Sequence, residues 1–291
     1  MAGAHLPSLA EESKPEPAKS LDSSDTHQST ITSEEKAQTA GAFAETSNYF
    51  EERFSPLDPV YIVFGWRDEF HSKFQLSFKY RIIREGGWAA SKFGVLDDLY
   101  FGYTQFSLWD MGEKSSPFRD TNYKPGMFYE ANFGEGRLDW MESFGLRTGY
   151  EHESNGRDGT NSRSLNILYL RPRLVLGDSR KYYFEIAPKA YVYVGNLDEN
   201  PDIAEYRGYV DLTLRTGYGN GWQISSTFRR GTQDHYGSIQ VDATYPLSRI
   251  LFLKDLGGFL QLQYFNGWGE SLIDYNEKRP SQFRVGIMIL R

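Results

Sequence analysis

The sequence predicts an all-β protein, a twelve-stranded antiparallel transmembrane β-barrel preceded by a disordered N-terminal tail. Three observations favour this fold class. About twelve segments alternate apolar and polar residues, and several of them run for about ten residues or more. No stretch approaches the roughly 18 consecutive apolar residues that a helical membrane span needs, so any membrane crossing would be made by strands.

The first 50 residues differ in composition from the rest of the chain. They hold eight acidic and three basic side chains, and their first aromatic residue is Phe43. Such a segment buries too little apolar surface to offset its ordering entropy. We therefore predict a disordered acidic, Ser/Thr/Glu-rich tail over residues 1–56 and a barrel domain over residues 57–291. The tail also lacks the basic and apolar regions of a secretory signal, so we expect that a signal was removed or that the native precursor starts elsewhere.

Alternation is clearest in residues 74–82, where every even position is apolar and every odd position is polar. Successive side chains of a strand point to opposite faces, so one face of this segment is apolar and the other is polar. The same period recurs in segments separated by Gly, Asn, Asp and Pro. The predicted strands lie near residues 59–66, 73–82, 99–109, 125–133, 138–154, 162–176, 181–195, 206–217, 221–230, 236–246, 257–266 and 281–290.

A soluble sandwich or lipocalin-like barrel would also alternate, and the pattern alone leaves that alternative open. Sandwich strands are typically about 5–6 residues long, whereas a tilted strand needs roughly 9–11 residues to cross a bilayer. The longer predicted strands, their Tyr- and Phe-rich ends and their charged polar faces favour a membrane barrel with a polar interior. Bacterial outer-membrane barrels have an even number of strands, so we predict a multi-pass protein of the bacterial outer membrane.

Charge and cysteine content exclude several classes of protein. The net charge is −7, with 32 Lys and Arg against 39 Asp and Glu. This balance argues against a nucleic-acid partner, which would need a basic surface. The absence of cysteine excludes disulfides, thiol catalysis and cysteine-ligated zinc.

The densest chemistry lies in residues 150–166, which read Tyr-Glu-His-Glu-Ser-Asn-Gly-Arg-Asp-Gly-Thr-Asn-Ser-Arg-Ser-Leu-Asn. His152 and Ser154 are two residues apart, so on a strand they share a face, as a base and a nucleophile for acyl transfer must. A hairpin centred on residue 159 pairs position 152 with position 166 and places Asn166 opposite His152. An amide oxygen there can accept from the imidazole N–H and hold the tautomer that turns the other nitrogen towards Ser154.

The parity of these positions predicts which face the trio occupies. The even positions of the two strands include the apolar residues Leu138, Trp140, Phe144, Leu146, Tyr150, Leu168, Leu170, Leu174 and Leu176. His152, Ser154 and Asn166 continue this lipid-facing parity, whereas Glu151 and Glu153 have the opposite parity. A trio at the rim of the lipid-facing wall indicates a hydrolase that acts on a bilayer component. Because His-x-Ser is a weak motif by itself, a polar rim histidine beside girdle aromatics is the alternative.

The chain resembles the outer-membrane phospholipase A family in several blocks that keep the same order over most of residues 58–290. The matching blocks are Tyr150-x-His-x-Ser-Asn-Gly-Arg157, Ser162-Arg-Ser-x-Asn166 with Tyr169, Tyr103-Thr-Gln105, Ser115-Ser-Pro-Phe-Arg-Asp-Thr-Asn-Tyr123, Asn200-Pro-Asp-Ile203, Gly208-Tyr209 and Gly269-Glu-Ser-Leu-Ile-Asp-Tyr-Asn276. The resemblance implies an enzyme that hydrolyses acyl esters of phospholipids and lysophospholipids, with A1 and A2 activity.

The resemblance also assigns roles within the site. It implies Ser154 as nucleophile, His152 as base, Asn166 as orienter and the Gly156 backbone N–H as part of an oxyanion hole. It further implies a catalytic Ca²⁺ held by three oxygens: the Arg157 carbonyl, the Ser162 hydroxyl and a serine of a second copy of the chain. That serine best matches Ser115, followed by Ser116. Hydroxyl and carbonyl oxygens suit this hard cation, which would act as a Lewis acid.

A calcium ligand from a second chain implies activation by homodimerisation, with inactive monomers in an intact membrane. Gln105 matches a polar residue of the family's dimer interface, and an amide inside a bilayer is costly unless it pairs with another group. A passive porin that kept the motif and a soluble esterase are the two other functions that the sequence leaves open.

Overall fold

The computed structural model describes residues 53–66, 69–83, 86–92, 98–133 and 140–291. Its strands are β1 (Phe54–Ser55), β2 (Val60–Trp66), β3 (Phe70–Arg81), β4 (Leu99–Trp109), β5 (Phe118–Phe133), β6 (Met141–Ser154), β7 (Ser164–Gly177), β8 (Tyr182–Tyr193), β9 (Val210–Tyr218), β10 (Gln223–Arg230), β11 (Gly237–Pro246), β12 (Phe259–Gly267) and β13 (Arg279–Leu290). Two short helices, α1 (Trp88–Lys92) and α2 (Ile203–Arg207), lie in the connections. Within these described ranges, no helix has the length and apolar character that a membrane span requires.

The sheet closes on itself. Each strand from β2 to β13 pairs antiparallel with the next one along the chain, and β13 pairs with β2. The twelve-stranded antiparallel barrel predicted from the sequence is therefore confirmed. Closure pairs the backbone groups of every strand with those of its neighbours, which is the condition for a sheet to stand in lipid.

Side-chain burial alternates along the strands as the sequence predicts. On β7, Leu165 and Ile167 point inward and are 2% and 4% exposed, whereas Leu168 and Leu170 point outward and are 50% and 48% exposed. The interior also contains fully buried polar side chains, such as Glu185 and Gln261. The outer wall is thus apolar and the lumen polar, the reverse of a soluble protein.

Ion pairs occupy much of the lumen. The connection between β12 and β13 (residues 268–278) carries Glu270, whose carboxylate accepts hydrogen bonds from Arg284 at 2.6 and 3.1 Å and from Lys73 at 3.3 Å. Burial alone raises the pKa of Glu270, but the charges of Arg284 and Lys73 outweigh it and hold the pKa at about 2. This pairing stabilises the fold above the ordinary glutamate pKa of 4.5 and is lost as the pH falls towards 2.

The strand β5 begins at Phe118, earlier than the predicted start at residue 125. The missed residues alternate as well, but their inward members are Asp120 and Asn122, both 0% exposed. A hydropathy pattern assigns buried polar residues to a loop, because it expects buried positions to be apolar. In a barrel with a polar lumen, such residues can belong to a strand.

The predicted boundary between tail and barrel needs correction. Phe54 and Ser55, which the sequence analysis places in the tail, form β1 and pair with Tyr80 and Lys79 of β3. The Phe54 ring lies 5.5 Å from the Phe78 ring and 5.1 Å from the Tyr80 ring, and this aromatic packing extends the ordered chain before residue 57. Residues 1–52 of the predicted tail lie outside the described residues.

Candidate active site

The candidate site lies where β6 and β7 reach one end of the barrel. The register places His152 opposite Asn166 and Ser154 opposite Ser164. This is the pairing predicted from a hairpin centred on residue 159. Because all four positions have even parity, they belong to the outward, lipid-facing wall.

The imidazole and the amide are directly bonded. His152 Nδ1 lies 2.8 Å from Asn166 Oδ1, and the ring nitrogen is the donor because the amide oxygen can only accept. This bond selects the tautomer in which Nε2 carries a free lone pair. Within the described part of the chain, no hydrogen bond joins the His152 ring to Ser154, and such bonds commonly tighten only when substrate binds.

Tyr150 is a third member of this bonded group. The sequence analysis placed it on the lipid-facing parity and in a block that matches the family, but gave it no role in the site. Its hydroxyl donates to the same Asn166 oxygen at 2.5 Å. Asn166 therefore accepts two hydrogen bonds, which restrains its amide plane. The available signal was parity, since Tyr150 lies two residues before His152 on the same face.

The inward face of β6 is anchored by ion pairs. Glu153 is 2% exposed and lies 3.1 Å from Arg207 and 3.4 Å from Lys124. Glu151 pairs with Lys189 at 2.9 Å. Both glutamates thus point into the lumen, as their parity predicts. Their ion pairs fix β6 on the face of the sheet opposite the lipid-facing trio.

Gly156 occupies a position that suits only glycine. Its φ is +64°, and a Cβ there would lie 3.0 Å from the Tyr123 ring. No hydrogen bond from its backbone N–H to another described residue is recorded. This donor lies two residues after Ser154, and its role in an oxyanion hole stays a prediction.

Asn155 braces the connection between β6 and β7 (residues 155–163). Its side chain is 4% exposed, donates to Asn161 O at 2.9 Å and accepts from the backbone N–H of Arg163 at 3.0 Å and of Arg157 at 3.4 Å. Sequence reasoning did not single out this residue, although an Asn directly before a glycine is typical of side-chain-closed turns.

The predicted in-chain calcium ligands lie on this connection. No hydrogen bond to the Arg157 carbonyl is recorded from another described residue, so this oxygen is available to a cation. The Ser162 hydroxyl donates to Glu199 Oε1 at 2.7 Å, and the Ser164 hydroxyl donates to Glu199 Oε2 at 2.8 Å. These two bonds, that of Ser162 first, lower the pKa of Glu199.

Glu199 adds a negative charge to a set of neutral oxygens, a donor set that fits a hard cation. The sequence analysis missed it, although it directly precedes the matched block at Asn200. The described residues contain no cluster of three or more His, Cys, Asp or Glu side chains placed to hold a metal ion. The predicted site accordingly depends on hydroxyl and carbonyl oxygens.

The two candidate serines for the second copy differ in their bonding. Ser115 and Ser116 lie in the turn between β4 and β5 (residues 110–117), both with positive φ, at 68° and 42°. The Ser116 hydroxyl donates to Met111 O at 3.1 Å, whereas no hydrogen bond of the Ser115 hydroxyl is recorded among the described residues. The Ser116 hydroxyl is thus held within its own turn, and this turn lies at the same end of the barrel as Ser154.

Gln105 lies on the outward face of β4, between the inward residues Thr104 and Phe106. Its amide oxygen accepts from the Tyr103 hydroxyl at 2.9 Å. The side chain thus reaches the lipid-facing wall, and its role at a dimer interface stays a prediction.

The closed barrel, with the His152–Asn166 pair and Ser154 on its outer wall, defines a class of protein, a transmembrane barrel with a candidate serine-hydrolase site that faces lipid. Comparison with known proteins identifies the family. The Phospholipase A1 family model matches residues 31–289, and the chain belongs to this family.

Two curated relatives illustrate the similarity. The chain is 34% identical over 238 residues to a putative phospholipase A1 of Neisseria meningitidis serogroup B, a match that covers 77% of this chain and 56% of the relative. It is 34% identical over 223 residues to phospholipase A1 of Escherichia coli K12, and this match covers 75% of this chain and 68% of the relative. The match thus spans a little over half of the first relative and two thirds of the second.

Solved structures agree with the fold. The outer membrane phospholipase A of Escherichia coli superposes with a TM-score of 0.65 and 29% identity, over 81% of this chain and 91% of that chain. A Salmonella typhi outer membrane phospholipase dimer with bound calcium gives a TM-score of 0.65 and 29% identity, over 81% and 92%. An asparagine-to-alanine active-site mutant of the Escherichia coli protein also matches, with a TM-score of 0.64 and 30% identity over 81% and 91%.

These findings confirm two predictions made from the sequence. The chain is a member of the outer-membrane phospholipase A family, and its barrel belongs to the bacterial outer membrane.

Proposed function

We propose that this chain is a calcium-dependent serine hydrolase that cleaves acyl esters of phospholipids and lysophospholipids, with A1 and A2 activity, and that it is active as a homodimer. The observation that carries the proposal is the hydrogen bond from His152 to Asn166 beside Ser154 on the lipid-facing wall. A site on this wall meets phospholipids without removing them from the membrane.

The reaction would proceed in two stages, acylation of Ser154 and deacylation of the acyl-enzyme. Ser154 Oγ attacks the acyl carbonyl carbon while His152 Nε2 takes the hydroxyl proton. Asn166 holds the ring and stabilises the imidazolium that forms, and the Gly156 N–H donates to the tetrahedral oxyanion. His152 then returns the proton to the leaving alcohol as the ester C–O bond breaks. A water activated by His152 cleaves the acyl-enzyme and releases the fatty acid.

The Arg157 carbonyl, the Ser162 hydroxyl and the partner subunit's Ser115 would hold the calcium ion. When bound, the ion supplies positive charge beside the oxyanion. The available Arg157 oxygen, the Glu199 carboxylate beside Ser162 and the calcium-bound dimer of the Salmonella typhi relative support this part of the proposal. A ligand that comes from a second copy makes the site incomplete in a monomer.

The test is an assay of the refolded protein in phospholipid–detergent micelles, combined with a sulfonyl fluoride that labels an activated serine. We expect calcium-dependent release of fatty acid and a single modified residue, Ser154, in the peptide map. Ion conductance without hydrolysis would instead identify a porin, and a label on another serine would refute the nucleophile assignment.

Replacing Asn166 by Ala should lower kcat by about tenfold to a hundredfold, since correct orientation of the base supplies part of the roughly 10²–10⁴-fold effect of general-base catalysis. The change leaves the His152 N–H and the Tyr150 hydroxyl without their shared acceptor. Tyr150→Phe removes only one donor and is the matched control, with an expected loss of no more than about threefold. Wild-type activity in the Asn166→Ala variant would show that His152 needs no orienting partner.

A further inference from the structure

Each protomer of the proposed dimer would serve two active sites, and this inference rests on that proposed function. The connection between β6 and β7 would supply calcium ligands to the protomer's own site. The turn between β4 and β5 would carry Ser115 to the partner's site. The Arg157 side chain links the first segment to the start of β5, directly after this turn, since its Nη2 donates to the backbone carbonyls of Phe118, at 3.2 Å, and Arg119.

A buried carboxylate helps to hold the Arg157 guanidinium in place. Asp120 is 0% exposed, and its Oδ1 lies 3.8 Å from Arg157 Nε and has no hydrogen-bond partner among the described residues. The other oxygen accepts from the backbone N–H of Ile273 at 3.0 Å and from Asn122 at 2.6 Å. The Asp120 carboxylate is therefore held through Oδ2, and its other oxygen, Oδ1, is directed at the Arg157 guanidinium. Because a buried charge without a partner is costly, this arrangement favours one position of the guanidinium.

The turn directly before the residues that Arg157 contacts is itself closed by several bonds. Arg119 Nε donates to Asp110 across the turn at 2.8 Å, and the Asp110 N–H donates to Pro117 O at 3.0 Å. The Trp109 indole N–H donates to Ser116 O at 2.8 Å. These bonds tie the backbone beside the Arg157 contacts to the turn that carries Ser115 and Ser116.

The segment on the other side of the link is also braced. The Asn155 side chain bonds within the connection between β6 and β7, and the Asn155 N–H donates to Arg163 O at 3.1 Å. Two internally bonded segments thus meet through the Arg157 guanidinium.

We propose that the Arg157 side chain is a positioning group that couples the two active sites of a dimer. It sets the place of the Ser115 hydroxyl that its own protomer delivers to the partner's site. This role is separate from that of its backbone carbonyl, which serves the protomer's own site. Calcium binding at one site then favours calcium binding at the other, because both depend on the same linked segments.

Mixed dimers separate the two roles. In a dimer of a Ser154→Ala protomer and a protomer with intact Ser154, only the intact protomer can hydrolyse lipid, and its calcium site takes Ser115 from the inactive one. Adding Arg157→Met to the inactive protomer should lower the hydrolysis rate of the intact protomer at limiting calcium by at least about fivefold. Arg230→Met on the inactive protomer is the control, since the Arg230 side chain is 87% exposed at the same end of the barrel.

Hydrolysis that does not change with Arg157→Met on the inactive protomer would overturn the coupling. A fall that appears only when Arg157→Met is placed on the intact protomer would likewise show that the arginine acts within its own connection. If dimers with two wild-type protomers do not hydrolyse phospholipid, the proposed function fails, and the coupling fails with it.

A second measurement does not depend on activity. The chain has no cysteine, so Lys254→Cys at the opposite end of the barrel gives a unique labelling site for energy transfer between protomers. In dimers inactivated by Ser154→Ala on both sides, Arg157→Met should raise the calcium concentration at half-maximal assembly by at least about fivefold. Asp120→Asn keeps the size of the side chain but removes its charge, and it should raise that midpoint by a smaller factor. An unchanged midpoint in both variants would overturn the coupling.

Discussion

Replacing Ser154 by Ala is expected to lower phospholipid hydrolysis by at least about 10³-fold, because no other group can attack the acyl carbon with His152 as base. The barrel should fold normally. No hydrogen bond of the Ser154 hydroxyl to another described residue is recorded, so its removal leaves no buried group without a partner. The measurement is fatty-acid release in phospholipid–detergent micelles with calcium, beside heat-modifiable electrophoretic mobility as the check on folding.

Ser143→Ala is the matched control for this variant. Ser143 lies on the same strand, β6, but eleven residues away, which corresponds to roughly 35 Å along a strand. It should retain wild-type activity. Full activity in Ser154→Ala would eliminate the nucleophile assignment, and equal losses in both variants would point to damage of the barrel.

Removal of calcium is the second change with a large expected effect. Excess EDTA should abolish hydrolysis, and added calcium should restore it, because the oxyanion would lose the positive charge beside the single Gly156 donor. Ser162→Ala and Ser115→Ala each remove one ligand and should raise the calcium concentration for half-maximal activity by about tenfold or more. Calcium titrations of the initial rate measure this midpoint.

Ser116→Ala is the control for the calcium ligands. Its hydroxyl is bonded to Met111 O within the turn, and Ser115 is the better match to the ligand that the second copy would supply. The midpoint should therefore change little. Activity that persists in excess EDTA would refute the metal role. A larger effect of Ser116→Ala than of Ser115→Ala would assign the ligand role to Ser116 instead of Ser115.

Local parity was enough to predict the pairing within the hairpin that carries the candidate site. The spacing of His152 and Ser154 and the turn centred on residue 159 predicted the pairing with Asn166, which the register confirms. This worked because strand side chains alternate with a period of two, so one residue of register decides the face of every neighbour. The calcium ligands required the family resemblance, since isolated loop serines carry no periodic signal.

Contacts between distant parts of the chain were not predictable from the sequence pattern. Glu199 is 37 residues from Ser162, and the Arg157 side chain crosses to Phe118, 39 residues earlier. Neither contact lies within a hairpin, so no local period indicates it. Tyr150 differs, because its parity was visible, but its hydroxyl partner depended on a side-chain rotamer.

The sequence by itself determined the fold class, the number of barrel strands and the face on which the trio lies, because a closed membrane sheet must alternate along every strand. It placed the start of β5 too late and the end of the tail too far along the chain, since buried polar residues and a two-residue strand give weak hydropathy signals. Only the tertiary structure decided how the loops at the site end are joined. The bonds of Arg157, Asp120 and Glu199 arise where loops and strand ends that are far apart in sequence lie side by side at this end of the barrel.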